Sequence, residues 1–207
     1  MSMAKWIALG ILGILVIFVV GIGISTVSVY NRLVALDQAV RSQWGQVENV
    51  YQRRADLIPN LVQTVKGAAN FEKSTYTQVA EARSRVGQVT SGQMKSIIDD
   101  PQAFQRFQAA QGQLSSALSR LLVTVERYPN LKATQNFQDL QAQLEGTENR
   151  IAQERRRFNL AAQAFNTYRQ SFPANVVAGF FGARFNVKPY FKAKAGAETP
   201  PKVDFGK

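Results

Sequence analysis

The chain has 207 residues, enough for one domain of ordinary size with appendages. It contains no Cys and no His, which removes disulfides, thiolate catalysis, Cys-based zinc sites and cysteine acylation, together with the commonest general base and transition-metal ligand. Lys and Arg outnumber Asp and Glu by 25 to 14, a formal charge of +11 that favours anionic partners such as phosphate, nucleic acid or acidic lipid head groups without choosing among them.

From Trp6 to Asn31 no residue is charged, and most are Ile, Val, Leu, Gly or Phe. Roughly 20 such residues at about 1.5 Å each cross the ~30 Å hydrocarbon core of a bilayer, so the run is long enough to span with some tilt. Trp6 and Tyr30 stand where interfacial aromatics belong. A cleaved signal peptide is the competing reading, with Lys5 ahead of the run and small residues at Gly21 and Gly23. The run exceeds the roughly 7–15 apolar residues of a signal core, which favours an uncleaved anchor over a signal peptide and over a buried core helix. Lys5 and the amino terminus on one side nearly balance Arg32 and Arg41, offset by Asp37, on the other, and lean only slightly to a cytoplasmic bundle.

Beyond the span, apolar residues recur at helical spacing. Leu33, Leu36, Val40, Trp44, Val47, Tyr51, Ile58, Leu61 and Val65 make one stripe along a long helix that Pro59 should kink or break. The lack of Gly and Pro between Ile24 and Trp44 favours one rod continuous with the span. A shorter helix is predicted over about 72–88, with Tyr76, Val79, Val86 and Val89 inward. Residues 90–100 read as a connection, and Asp100 before Pro101 gives an N-cap with proline at the first helical position. A third helix follows, with Phe104, Phe107, Leu114, Leu118, Leu121, Leu122 and Val125 inward, and Pro129 ends it. A fourth, over about 134–170, carries Phe137, Leu140, Leu144, Thr147, Ile151, Phe158, Phe165 and Tyr168. Such stripes predict an all-α protein, an N-terminal transmembrane helix followed by an antiparallel four-helix bundle of long helices.

From Phe172 onward there are six basic and two acidic residues among many aromatics, an irregular aromatic and basic C-terminal tail. Three readings stand side by side. Phe180, Phe181 and their neighbours cap the open end of the bundle; or the aromatics dip into the head-group layer while Lys and Arg meet acidic lipids; or the tail stacks on single-stranded nucleic acid, which no recognised module supports. The contact residues under the second reading are Phe180, Phe181, Arg184, Lys188, Tyr190 and Phe191. The domain plan is therefore an anchor at 1–29, a bundle at 30–171 and a tail at 172–207.

Longer motifs now stand out. Tyr30-Asn31-x-Leu33-Val34, Arg53-Arg54-x-Asp56-Leu57-Ile58-Pro59-Asn60-Leu61-Val62-x-Thr64-Val65-Lys66-Gly67 and Glu81-Ala82-Arg83 resemble the signature of the bacterial LemA family. Glu126-x-Tyr128-Pro129-x-Leu131-Lys132-Ala133, Leu144-Glu145-Gly146-Thr147-Glu148-Asn149-x-Ile151, Phe158-Asn159, Phe165-Asn166, Phe172-Pro173 and Pro201-Lys202-Val203-Asp204-Phe205 extend the likeness over essentially the whole chain. The resemblance implies a single-pass bacterial inner-membrane protein with its short amino end outside the cytoplasm, a helical bundle as its soluble part, and no known enzymatic activity.

Read physically, the Arg53–Gly67 motif mixes charge with an apolar helical face. Pro59 frees a backbone carbonyl one turn earlier, around Ala55, which a polar side chain or water must satisfy. A polar network of Arg54, Asp56 and Asn60 with Glu145, Glu148 and Asn149 is expected, in which Arg54 pairs with a carboxylate and sets the register of the first and fourth helices. A di-iron reading of the acidic residues fails because such bundles use Glu-x-x-His, whereas the spacing here is Glu145-x-x-Glu148; an all-oxygen Mg²⁺ or Ca²⁺ site is a weaker reading than surface ion pairs. Arg150 and Glu154 are spaced to pair, and Arg155-Arg156-Arg157 point in different directions around a helix.

No Gly-rich phosphate loop, no GxSxG elbow and no nucleophile with a histidine base occurs. The sequence thus predicts a non-enzymatic scaffold or adaptor without cofactor or metal. It would contact the bilayer through residues 6–29 and bind a protein partner or a second copy, with acidic-lipid or envelope binding through the tail as the alternative and nucleic acid disfavoured.

Overall fold

The fold is that of a computed structural model, which describes residues 3–67, 71–90 and 97–192. These form six helices: α1 (Met3–Lys66), α2 (Lys73–Thr90), α3 (Pro101–Val125), α4 (Pro129–Lys132), α5 (Gln135–Gln170) and α6 (Ala174–Phe180). Two 3-10 turns, Ile97–Asp99 and Gly182–Phe185, complete the set, and no strand occurs among the described residues. The protein is all-α.

α1 runs without a break from the apolar run into the bundle, one rod of 64 residues. Large apolar side chains from Ile7 to Val27 are exposed, so this part is not a core helix. The stretch that begins at Leu9 is long and apolar enough to cross a membrane. From Val29 the helix enters the core, where Leu33, Asp37, Val40, Trp44, Val47, Tyr51, Arg54, Ile58, Leu61 and Val65 are all buried. Their steps alternate between four and three, which averages 3.5 and keeps a single stripe facing inward along the whole soluble length. Leu36, expected on the stripe, is half-buried, and Asp37 holds the core position beside it.

α3 repeats the pattern with Phe104, Phe107, Gln111, Leu114, Leu118, Leu121 and Val125, while α5 places Phe137, Leu144, Ile151, Phe158 and Phe165 inward at intervals of seven. Each such ring or branched side chain withdrawn from water contributes about 1.5–3 kcal/mol before chain entropy is counted. Asp100 caps α3, its carboxylate accepting from the Gln102 amide at 2.8 Å, with Pro101 in the first turn.

Pro59 does not end α1. Its missing N–H leaves the Ala55 carbonyl free, and Arg83 Nε of α2 donates to that oxygen at 3.0 Å, so the helix continues through the proline.

Side-chain contacts give the register. Gln43 meets Glu154 and Arg54 meets Glu148, so α5 runs antiparallel to α1. Arg83 on Ala55 and Lys66 on Tyr76 set α2 antiparallel to α1. Glu72 with Arg127, Gln78 with Arg120 and Arg85 with Gln113 make α3 antiparallel to α2.

The core has two parts. The distal part is filled by α1, α2, α3 and α5, including Ile58, Val79, Leu114 and Leu144. In the part nearer the apolar run, α2 has ended and other segments take its place: Ile97 and Ile98, then Ala174, Val177, Phe185 and Phe191 from beyond α5. Residues 91–96 of the expected connection lie outside the described residues, and its last stretch is core rather than linker. The segment after Phe172, expected to be irregular, is ordered through Lys192 as α6, a turn with Gly182 at φ +56°, and an extended strap over 186–192. Pro201–Phe205 lie outside the described residues.

Candidate functional site

Between the two parts of the core lies a polar layer centred on Arg54, which is only 1% exposed. Its Nη1 donates to Glu148 Oε1 at 2.8 Å and to Ser115 Oγ at 2.9 Å, and Nη2 donates to the side-chain oxygen of Gln111. The guanidinium also lies 5.0 Å from the centre of the Tyr51 ring. Glu148 keeps 44% of its side chain exposed, so only one of the two charges is fully withdrawn from water and the desolvation cost is moderated.

The other expected members of this network are elsewhere. Asp56 accepts from Gln52 Nε2 at 2.8 Å on the exposed face of α1, and Asn60 is exposed. Glu145 accepts from Gln141 Nε2 at 3.0 Å and, like Asn149, faces outward. The reason is angular: at about 100° per residue, positions two and six beyond Arg54 point well away from its face. Gln111 and Ser115, the partners that sequence reasoning missed, carried one usable signal, since Gln111 occupies a core step of the α3 stripe. Glu154 accepts from Gln43 at 2.6 Å and pairs with Arg157 at 3.0 Å rather than with Arg150.

A second charged cluster ties the strap down. Lys188 is wholly buried, its Nζ 2.5 Å from Asp99 Oδ1 and 2.6 Å from Asp37 Oδ1. Arg41 reaches the outer oxygens of the same carboxylates, Asp37 Oδ2 at 2.8 Å and Asp99 Oδ2 at 2.9 Å. Two cations and two anions thus neutralise one another across α1, the Ile97–Asp99 turn and the strap. Burial works against the Arg41 charge, but its hydrogen bonds to Asp37 and Asp99 and the attraction of the two carboxylates together outweigh that and hold the guanidinium above its usual range.

The strap is also held by its backbone. Asn166 donates to the Lys188 carbonyl at 2.9 Å and accepts from the Lys188 amide at 2.8 Å; Asn159 does the same with Phe191, both at 2.9 Å. Seven helical residues rise about 10.5 Å and three extended residues about 10 Å, so two asparagines one heptad apart match two strap residues three apart. In Phe158-Asn159 and Phe165-Asn166 the ring enters the core while its neighbour fastens the strap.

This divides the six tail residues expected at a membrane or partner. Lys188 and Phe191 are buried, because the first neutralises Asp37 and Asp99 and the second packs against Trp44 and Phe104. Phe180 is 87% exposed, and Phe181, Arg184 and Tyr190 keep exposed surface. Phe181 packs against Tyr30 with ring centres 4.7 Å apart and planes inclined by 51°, and Arg184 lies 5.4 Å from the same ring, which places α6 beside the level where α1 leaves its apolar run. The Tyr190 hydroxyl accepts from Asn166 at 3.0 Å.

Glu48 is half-buried and accepts from the Trp44 indole N–H. Burial pushes its carboxyl above the ordinary value of 4.5, and the indole bond works in the opposite direction. No group of three or more potential metal-ligating side chains occurs among the described residues. The polar groups brought together are thus neutralised by one another, an arrangement suited to holding segments in place.

Comparison with known proteins agrees with the motifs. The model of the LemA family matches residues 43–205. Two magnetosome proteins MamQ of Paramagnetospirillum magneticum are each 26% identical over 185 residues, covering 83% of this chain and 67% of theirs. MamQ of Magnetospirillum gryphiswaldense shows the same identity and coverage. Protein LemA of Metamycoplasma hominis is 22% identical over 148 residues, 72% of this chain and 63% of its own length. With matching motifs in α1, α2, α4 and α5, and a family model covering most of its length, the chain belongs to the LemA family.

Proposed function

We propose that the protein is a non-enzymatic scaffold, anchored in the bacterial inner membrane by the first part of α1, whose bundle binds a protein partner or a second copy close to the bilayer. The observation that supports this is the continuity of α1. One helix supplies both the apolar run and a core stripe of the bundle, so the bundle cannot pivot freely about a linker and keeps a fixed distance and angle to the span. Such rigidity favours assembly over capture of distant ligands. Relatives named as magnetosome proteins fit the same reading. We place the bundle on the cytoplasmic face, following the slight charge bias around the span.

Site-specific photocrosslinking in native membranes tests the scaffold. The exposed apolar side chains Leu160 and Val123 are suitable positions for the photoreactive residue. Adducts with a second copy or with one recurrent protein support it; only monomer at every exposed position tried would sink it. For the side of the membrane, Ser116→Cys in this cysteine-free chain reports whether an impermeant maleimide needs permeabilised cells, as a cytoplasmic bundle requires.

A further inference from the structure

The residues after α5 divide into a buried strap and an exposed apolar foot, and the foot has a definite height. Taking Trp6 as the far interfacial residue, the 23 steps to Val29 rise about 35 Å along α1, compared with a hydrocarbon core of ~30 Å and a head-group layer adding roughly 5–7 Å on each side. Val29 is the first α1 side chain the bundle buries, so burial by protein begins within the head-group layer. α6 packs at this level: Val177 and Ala178 join the same core as Val29, and Phe181 packs against the Tyr30 ring.

Apart from Asn175, the side chains that α6 leaves uncovered are apolar. Phe172 is 83% exposed, Val176 63% and Phe180 87%; Phe180 packs on Phe181, and Arg184 lies over the Tyr30 ring that Phe181 also meets, with its surface open. An aromatic and aliphatic patch bordered by a guanidinium suits the boundary between acyl chains and phosphate head groups. Through Phe181 the patch meets Tyr30 of α1, whose large apolar side chains are uncovered as far as Val27.

We infer that Phe172, Val176 and Phe180 form a second membrane contact, lying in the interface of the bilayer that α1 crosses, with Arg184 facing the phosphate of an anionic lipid. The occupant is lipid, not a second protein. The contact rests on the anchor reading, and with α1 it makes two points of attachment that fix how the bundle tilts over the membrane. Lys188 and Phe191 take no part.

The chain lacks cysteine, and an added Cβ at Gly13, Gly146 or Gly179 meets nothing within 4 Å, so a thiol can be placed in the span, in the distal bundle and beside Phe180. The full chain carrying one fluorophore-labelled Cys (Gly13→Cys, Gly146→Cys or Gly179→Cys) is reconstituted in phosphatidylcholine–phosphatidylglycerol nanodiscs with nitroxide lipids of known depth. At position 179 about half of the emission should be lost to head-group or shallow nitroxides, position 13 should respond to deep ones, and position 146 to none. Phe172→Ser with Phe180→Ser should weaken quenching at 179 by at least about twofold, with an unchanged helical signal showing that the fold is kept.

Quenching at 179 no greater than at 146, while 13 is still quenched, overturns the foot and leaves the anchor standing. No quenching at 13 overturns the anchor itself. A probe at 179 shielded from aqueous iodide yet untouched by any lipid nitroxide means a protein covers the patch, and that too overturns the inference.

Discussion

Arg83 of α2 donates to the Ala55 carbonyl, the acceptor that Pro59 deprives of its helical partner. A proline that would interrupt α1 is thereby turned into a contact between two helices. Arg83→Met should destabilise the bundle by about 1 kcal/mol, since the bond is charged but partly solvated. In a Pro59→Ala background the amide at position 59 can serve Ala55, and the same substitution should then cost little. Denaturant melts of the four proteins give the coupling; equal costs in both backgrounds would show that Arg83 acts elsewhere.

The pair of Arg54 and Glu148 should be lost asymmetrically. Arg54→Leu puts an aliphatic side chain between two apolar cores and strips Gln111 and Glu148 of a donor, whereas Glu148→Leu leaves a guanidinium at 1% exposure with only neutral acceptors. Breaking a buried pair from one side costs about 3–5 kcal/mol, and the half-exposed Glu148 places these substitutions toward the lower figure, with Glu148→Leu the worse. The double variant should recover about 1–3 kcal/mol of the summed loss. Additive losses in thermal unfolding would mean the contact carries no coupling.

Strap fastening makes a sharper local prediction. Asn166→Ala removes a donor and an acceptor from the Lys188 backbone and should cost about 2–3 kcal/mol, more than Asn159→Ala, whose site is half-buried. Amide exchange at Lys188 and Phe191 should quicken by more than exchange in the distal core. Uniform acceleration across the bundle would show that the strap does not open by itself.

Glu48 gives a pH dependence with a definite sign. Its folded carboxyl titrates above its ordinary value of 4.5, so across the interval between the two values the folded state binds the proton more tightly than the unfolded chain. Stability from this residue is therefore present below 4.5 and is lost as pH rises through the folded value. Glu48→Gln keeps an acceptor for the Trp44 indole without the charge. It should raise the Tm at neutral pH and make no difference in acid below the ordinary value; a gain that persists unchanged into acid would point to packing instead.

How much of this was legible in the sequence differs from element to element. The continuity of α1 could be read from the missing Gly and Pro between Ile24 and Trp44, and the start of α3 from Asp100-Pro101, because both signals are local. That a polar group must satisfy the carbonyl near Ala55 also followed from Pro59, although α2 as its source did not. The asparagines of Phe158-Asn159 and Phe165-Asn166 were visible as repeats, but their role depends on a strap that lies 22 or more residues away.

Apolar periodicity, capping chemistry and one uncharged run determined the helices, their inward stripes and the apolar rod, since each rests on residues a few positions apart. Only the tertiary structure decided which charges lie inside. Arg54 could be read as paired with a carboxylate of the fourth helix, but Asp37 and Lys188 look like solvated residues until the fold brings them together and sets Lys188 on Asp99, 89 residues away. The same holds for the tail, where the sequence left a cap on the bundle, an interfacial contact and a nucleic-acid surface open side by side. Burial divides its residues by where α2 stops: the vacant side of the core takes in Lys188 and Phe191, whereas Phe180, on the outer face of α6, stays exposed among the described residues.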